Sequence, residues 1–183
     1  IRLAVNNAMW PMFWPSRYPM TTTLELGGAD PTLVRLPVVP HENRPKPAFL
    51  APAEDPHLPG FGTLAEETTS GYGEISRVER DVAARATKVV ALNSGTSQYP
   101  WGTSRYQESI THQARDDHPE AASVAGEYRT TLTLEDRTLV FESNVTFRSD
   151  LHHFYYDGVR RLLKDGVLMR EKTWTDVIPR DFQ

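Results

Sequence analysis

The amino-acid sequence predicts an all-β protein, and three observations carry that expectation. Segments between residues 120 and 175 alternate apolar and polar side chains with a period of two. Asp165-Gly166 separates two such segments, and this pair supplies the positive φ angles that a tight hairpin turn needs. Prolines are dense between Pro40 and Pro59, which forbids helix and central strand there and divides the chain in three.

The first region, residues 1–40, holds short strand-like runs. Leu3 and Val5 alternate with Arg2, Ala4 and Asn6, and Leu24 and Leu26 alternate with Thr23 and Glu25. Gly27-Gly28-Ala29-Asp30-Pro31 is a turn signal, after which residues 32–39 resume a strand-like run. Between the first two runs lies an aromatic loop punctuated by proline: Trp10, Pro11, Phe13, Trp14, Pro15, Tyr18 and Pro19. The second region, residues 41–70, reads as an extended strap. Phe49, Leu50, Leu58 and Phe61 are spaced along it, which favours a strap laid against a surface over a free tether.

The third region, residues 71–183, predicts an antiparallel meander. In residues 78–92, Val78, Val82, Ala86, Val89 and Val90 fit a helical face nearly as well as a hairpin. The hairpin is favoured, with a turn near residues 83–85. Tyr128, Thr130, Leu132 and Leu134 share one face of a strand, and Glu127, Arg129, Thr131 and Thr133 the other. Glu135-Asp136 can turn the chain. Leu139, Phe141, Val145 and Phe147 then point inward, against Thr138, Glu142, Asn144 and Arg148 outward. A strand over residues 152–163, with an irregularity expected at Asp157-Gly158, leads to the Asp165-Gly166 hairpin and a return strand over 167–174.

Composition narrows the function classes. A chain of 183 residues with 39% hydrophobic and 24% charged content is expected to fold. A net charge of -4 gives no general attraction to nucleic acid or to an anionic membrane. No apolar run approaches the roughly 20 residues that a spanning helix needs. The chain has no cysteine, which removes disulfides, thiol nucleophiles and thiolate metal sites and is compatible with a reducing, cytoplasmic setting. The sequence opens on Ile1 inside a strand-like run, so the polypeptide is expected to extend upstream.

Chemistry inside the chain is sparse. No G-x-S-x-G nucleophile elbow occurs, and the nearest approach, Asn93-Ser94-Gly95-Thr96-Ser97, reads as a polar turn. His152 and His153 beside Asp150 suggest a metal, but adjacent strand residues point to opposite faces, so a hydrogen-bonded or solvated pair is the better reading. His41, His57, His112 and His118 lack ligand spacing. Glu66-Glu67 and Asp116-Asp117 read as solvated surface charge, as does the Arg160, Arg161 and Lys164 cluster. Asn144-Val145-Thr146 matches a glycosylation sequon by chance in mid-strand. No metal or cofactor is called for.

The run Arg2-Leu3-Ala4-Val5-Asn6-Asn7-Ala8-Met9-Trp10-Pro11, followed by Phe13-Trp14-Pro15-Ser16-Arg17-Tyr18-Pro19, resembles part of the C-terminal domain of X-Pro dipeptidyl-peptidase-like (CocE/NonD) hydrolases of bacteria. Leu36-Pro37-Val38-Val39-Pro40 resembles the strand that closes that domain. Asp116-Asp117-His118-Pro119 and Trp174-Thr175-Asp176-Val177-Ile178-Pro179-Arg180-Asp181 resemble parts of a C-terminal extension. The resemblance implies that residues 1–40 are the last strands of a jelly-roll (galactose-binding-like) sandwich. It also implies an upstream α/β-hydrolase domain, on the same polypeptide, that carries the serine, histidine and aspartate of catalysis. This chain would then be a non-catalytic module of an enzyme that hydrolyses esters, amides or X-Pro peptides. Trp10, Phe13, Trp14 and Tyr18 become candidate contacts between domains or with the substrate cleft. The alternative is a free-standing β-sandwich or lipocalin-like module that binds a carbohydrate or a small apolar ligand. Homo-oligomerisation stays open under both.

Overall fold

A computed structural model describes residues 3–6, 9–38, 46–53, 58–64 and 76–181. Outside the described residues lie the expectations made for Arg2, Asn7, Ala8, Val39, Pro40, His41, His57 and Glu66-Glu67. The architecture is all-β. Among the described residues eight strands form one open, antiparallel sheet: β1 (Gly62–Thr63), β2 (Arg77–Asp81), β3 (Ala86–Tyr99), β4 (Gly102–Arg115), β5 (Ser123–Leu134), β6 (Thr138–Ser149), β7 (His153–Lys164) and β8 (Val167–Pro179). From β3 to β8 the spatial order follows the chain, so each long strand pairs with its sequence neighbours. The short β1 and β2 both lie on the outer side of β3, opposite different parts of it.

Local chemistry explains the connections. Residues 78–92 form a hairpin, with Val78 opposite Val89. Arg85 closes its turn at φ 50°, and the Asp81 carboxylate accepts the Ala84 N–H at 2.8 Å. The β7–β8 turn places Asp165 at φ 50° and Gly166 at φ 80°, as the Asp-Gly pair predicts. The Asp165 side chain also accepts the Thr138 N–H at 2.8 Å, which ties this turn to the start of β6. Gly102 opens β4 at φ 142°, where an added Cβ would sit 2.0 Å from the Thr133 carbonyl oxygen. That position therefore admits only glycine.

Four expectations differ from the structure. Residues 93–97 do not turn but continue β3, with Gly95 opposite Tyr106. The Tyr106 ring lies over Gly95, within 2.7 Å of where a Cβ would be, and so fills the space that the missing side chain leaves. The irregularity of the last hairpin sits at Leu162/Leu163 rather than at Asp157-Gly158. Gly158 stays in register between Val145 and Trp174, covered by the Tyr156 ring. The return strand runs past Trp174 to Pro179. In the N-terminal region, Leu3, Val5, Leu24, Leu26 and residues 32–38 are not strands. Across the 27–30 turn, one backbone bond joins Thr32 N–H to the Glu25 carbonyl, and the Thr32 hydroxyl accepts the Glu25 N–H, so no ladder grows. Among the described residues the sheet is single and open, without the second sheet of a sandwich.

Directly opposed residues share a face, so the registers divide the sheet's side chains in two. One face is polar. Across four strands it carries a row of alternating charge, Arg129, Glu142, Arg161 and Glu171. Arg129 pairs with Glu142 at 2.9 Å and Arg161 with Glu171 at 2.6 Å. Exposed pairs of this kind add little stability but disfavour register slips, which would bring like charges together. The other face is apolar, with Ile110, Val124, Val145, Phe147 and Phe154 at its centre and one end, and Tyr106, Tyr128, Leu132, Phe141 and Leu162 at the other. Only Val90, Ala91, Ala122 and Val140 are buried apolar side chains among the described residues, because one layer cannot cover both of its own faces.

Candidate functional site

The N-terminal aromatic loop docks on one end of the apolar face. A turn over residues 10–13, closed by the Phe13 N–H on the Met9 carbonyl at 3.0 Å, brings Trp10 and Trp14 to the same side of the loop. Their rings meet edge to face at 5.3 Å. Trp14 lies edge to face on Phe147 at 5.0 Å and on Phe154 at 5.7 Å, and those two phenyl rings stack at 5.2 Å. Trp10 covers His112 at 5.7 Å. Burial pushes the His112 imidazole below its ordinary pKa, so it is held neutral, on an apolar face rather than in the polar setting its sequence neighbours suggest.

Polar bonds fix the loop where the rings place it. The Trp14 indole N–H donates to Ser149 Oγ at 2.8 Å, and the Ser149 hydroxyl donates in turn to the Glu120 carbonyl. Arg180, only 1% exposed, joins three separate segments. Its guanidinium donates to the carbonyls of Asp150 at 2.8 Å, Pro15 at 3.1 Å and Glu120 at 3.3 Å, and lies over the Phe154 ring at 4.8 Å. The loop, the β4–β5 connection and the β6–β7 turn therefore meet on one cation placed just after β8.

Of the four aromatic candidates, the structure brings Trp10 and Trp14 together on this chain's own sheet. Phe13 (66% exposed) and Tyr18 (58% exposed) face solvent. A cleft of about 420 Å³ opens beside the docked loop, with Trp10, Tyr18 and Pro19 on one wall and Thr87, Arg115 and Asp116 on the other. Asp116 is taken up by a bidentate ion pair with Arg80, whose guanidinium holds the carboxyl below the usual carboxylate range. Asp117 is likewise held by Arg115 at 3.2 Å.

Asp150 is engaged in a turn. It accepts the Tyr155 hydroxyl and the backbone N–H groups of His152 (2.7 Å) and His153 (2.8 Å), which together hold its carboxyl well below the usual range, and its bond to the Tyr155 hydroxyl raises that phenol in turn. The His152 and His153 rings lie 6.4 Å apart, and no group of three His, Asp or Glu among the described residues is placed to hold a metal. His118 bonds Glu120 at 3.0 Å.

Two surfaces remain. On the polar face a trough of about 590 Å³ is lined by Ser94, Gln107, Glu127, Arg129, Glu142 and Asn144 among others. On the apolar face, beyond the reach of the loop, Tyr128 and Phe141 are each 42% exposed beside half-buried Leu132, Leu139 and Leu162. Sequence reasoning missed Arg180 as a structural node. Its signal was an arginine just after the strand-ending Pro179, too slight to distinguish from surface charge. No helix among the described residues is long and apolar enough to cross a membrane. Compared with family models, curated proteins and solved structures, the chain matches none.

Proposed function

We propose that this chain is a non-catalytic β-module of an X-Pro dipeptidyl-peptidase-like (CocE/NonD) acyl or peptide hydrolase, and that it packs on an α/β-hydrolase domain of the same polypeptide. One observation carries the reading: the apolar face is sealed at one end by its own aromatic loop and bare at the other, around Tyr128 and Phe141. A contiguous apolar sheet surface rimmed by polar groups is suited to a protein contact. The family assignment rests on the sequence resemblance, and the bare stretch offers the surface that such a module needs. In this reading Phe13 and Tyr18, exposed at the loop tip, extend the contact. The module shields apolar surface of the catalytic domain and shapes access to its cleft, while the reacting residues lie elsewhere in the polypeptide.

The test is the coding sequence that precedes Ile1. A G-x-S-x-G elbow followed by aspartate and histidine codons is expected, and a start codon or signal peptide directly upstream overturns the proposal. The 183-residue chain should not turn over a chromogenic acyl ester or X-Pro substrate; turnover sensitive to a serine-directed inhibitor would contradict the non-catalytic role.

The second reading, a free-standing carbohydrate-binding module, is favoured by the polar trough, whose Gln107, Glu127, Arg129 and Asn144 side chains can pair with hydroxyl groups. It lacks an aromatic platform, since none of the residues around the trough presents an aromatic ring on the polar face. Glycan-array binding by the chain that is lost in Arg129→Ala would select this reading over the first.

A further inference from the structure

The two edges of the sheet are unlike. On the β3 side, β2 covers Ala86 to Val90 and β1 covers Ser97 and Gln98. The outermost strand there, β2, has five residues, four of them charged: Arg77, Glu79, Arg80 and Asp81. A short, charged edge strand discourages further pairing. On the other side β8 runs for 13 residues, pairs only with β7 among the described residues, and is exposed along nearly all its length. Its outward backbone N–H and C=O groups form a long open ladder.

The sequence of β8 is complementary to itself when reversed. In an antiparallel pair of identical strands related by a two-fold axis, residues on one face oppose residues on the same face, so the axis passes through a residue position. With Thr173 on the axis, Arg170 opposes Asp176, Lys172 opposes Trp174, Glu171 opposes Thr175, and Met169 opposes Val177. Each match occurs twice. Arg170 and Asp176 have no ion-pair partner within their own chain among the described residues, although both are charged and exposed. Lys172 already lies 4.8 Å from its own Trp174 ring, so this cation–ring contact is native to the surface and would recur across the axis. Neighbouring registers fail. An axis through Glu171 sets Arg170 against Lys172, one through Lys172 sets Leu168 against Asp176, and one through Trp174 sets Glu171 against Val177. The charges on β8 that deter other strands thus suit one partner.

We infer that β8 is the seam of a homodimer, formed by antiparallel pairing with β8 of a second copy about Thr173, which joins two sheets into one continuous sheet. The dimer uses the sheet edge and leaves the apolar face free, so it is independent of the hydrolase assignment.

The charges supply the test. In Arg170→Asp the symmetric dimer sets two acidic pairs against each other, and in Asp176→Arg two basic pairs. Each variant alone should dissociate at least about tenfold more readily than the parent chain in sedimentation equilibrium, from two reversed cross-strand pairs. Mixing the two variants restores both opposite-charge pairs, so heterodimers should form where neither variant dimerises alone. Both substitutions lie on exposed side chains, and unchanged β-sheet circular dichroism confirms that each variant folds. A parent chain that stays monomeric at high micromolar concentration overturns the inference. So does a dimer that persists in both single variants, which would move the contact to the apolar face, or a mixture that fails to associate.

Discussion

The apolar face of the sheet has two ends that share strands and register but differ in how they are closed. At one end Trp10 and Trp14 lie on His112, Phe147 and Phe154, and the Arg180 guanidinium ties the loop to two inter-strand connections. At the other end Tyr128 and Phe141 are each 42% exposed beside half-buried Tyr106 and Leu162, and the ring of Tyr106 fills the gap at Gly95. The same alternation of residues thus produces a small core in one place and an open surface in the other. Strand patterning decides which way side chains point. Closure is decided by segments distant in sequence.

Breaking the closed end should have the largest effect. Trp14→Ala removes three ring contacts, with Trp10, Phe147 and Phe154, and the bond to Ser149, and is expected to cost about 3 kcal/mol, the low end for truncating a packed aromatic. Urea unfolding of the chain measures it. Arg180→Met removes the guanidinium from the Phe154 ring and takes its donors away from the Pro15 and Asp150 carbonyls, while the Glu120 carbonyl keeps the Ser149 hydroxyl. A loss of about 2 kcal/mol is expected from unmet buried acceptors. The loop should also become cleavable, so limited proteolysis near Tyr18 or Met20 provides a second readout.

The closed end should also respond to pH. Burial lowers the His112 pKa in the fold below its ordinary value of 6.5, so the native state prefers the neutral ring. The corresponding stability is fully present above pH 6.5 and is lost as the pH falls through the lowered value in the fold. His112→Gln should flatten stability measured between pH 7.5 and 5; a slope that persists unchanged would assign it to another group. At the open end the smallest change is expected. Phe141→Ala should cost under about 1 kcal/mol, because its ring already contacts water.

Much of this contrast was legible in the sequence. Alternation in β5 and β6 assigned Tyr128, Thr130 and Leu132 to one face and Glu127, Arg129 and Thr131 to the other, as the registers have it. Asp165-Gly166 marked the last hairpin because its φ requirement is local. The stretch 93–97 was misleading because its small polar residues mimic a turn, while its strand character depends on pairing with residues 104–108 and on the Tyr106 ring. Residues 32–38 misled in the opposite direction, since their strand-like pattern has no ladder partner in the fold. The role of Arg180 likewise arises from tertiary contact. Among the aromatic loop residues, composition singled out the right segment but could not separate the anchors Trp10 and Trp14 from the exposed Phe13 and Tyr18, a distinction made by the geometry of the turn over residues 10–13.

Covalent footprinting of aromatic side chains, performed on the 183-residue chain and on the longer polypeptide that the proposal requires, tests the central claim most directly. Tyr128 and Phe141 should be labelled readily in the 183-residue chain and strongly protected in the longer one, while Trp14 stays protected in both. Equal labelling of Tyr128 and Phe141 in the two would mean that no catalytic domain covers the open end, and would contradict the account.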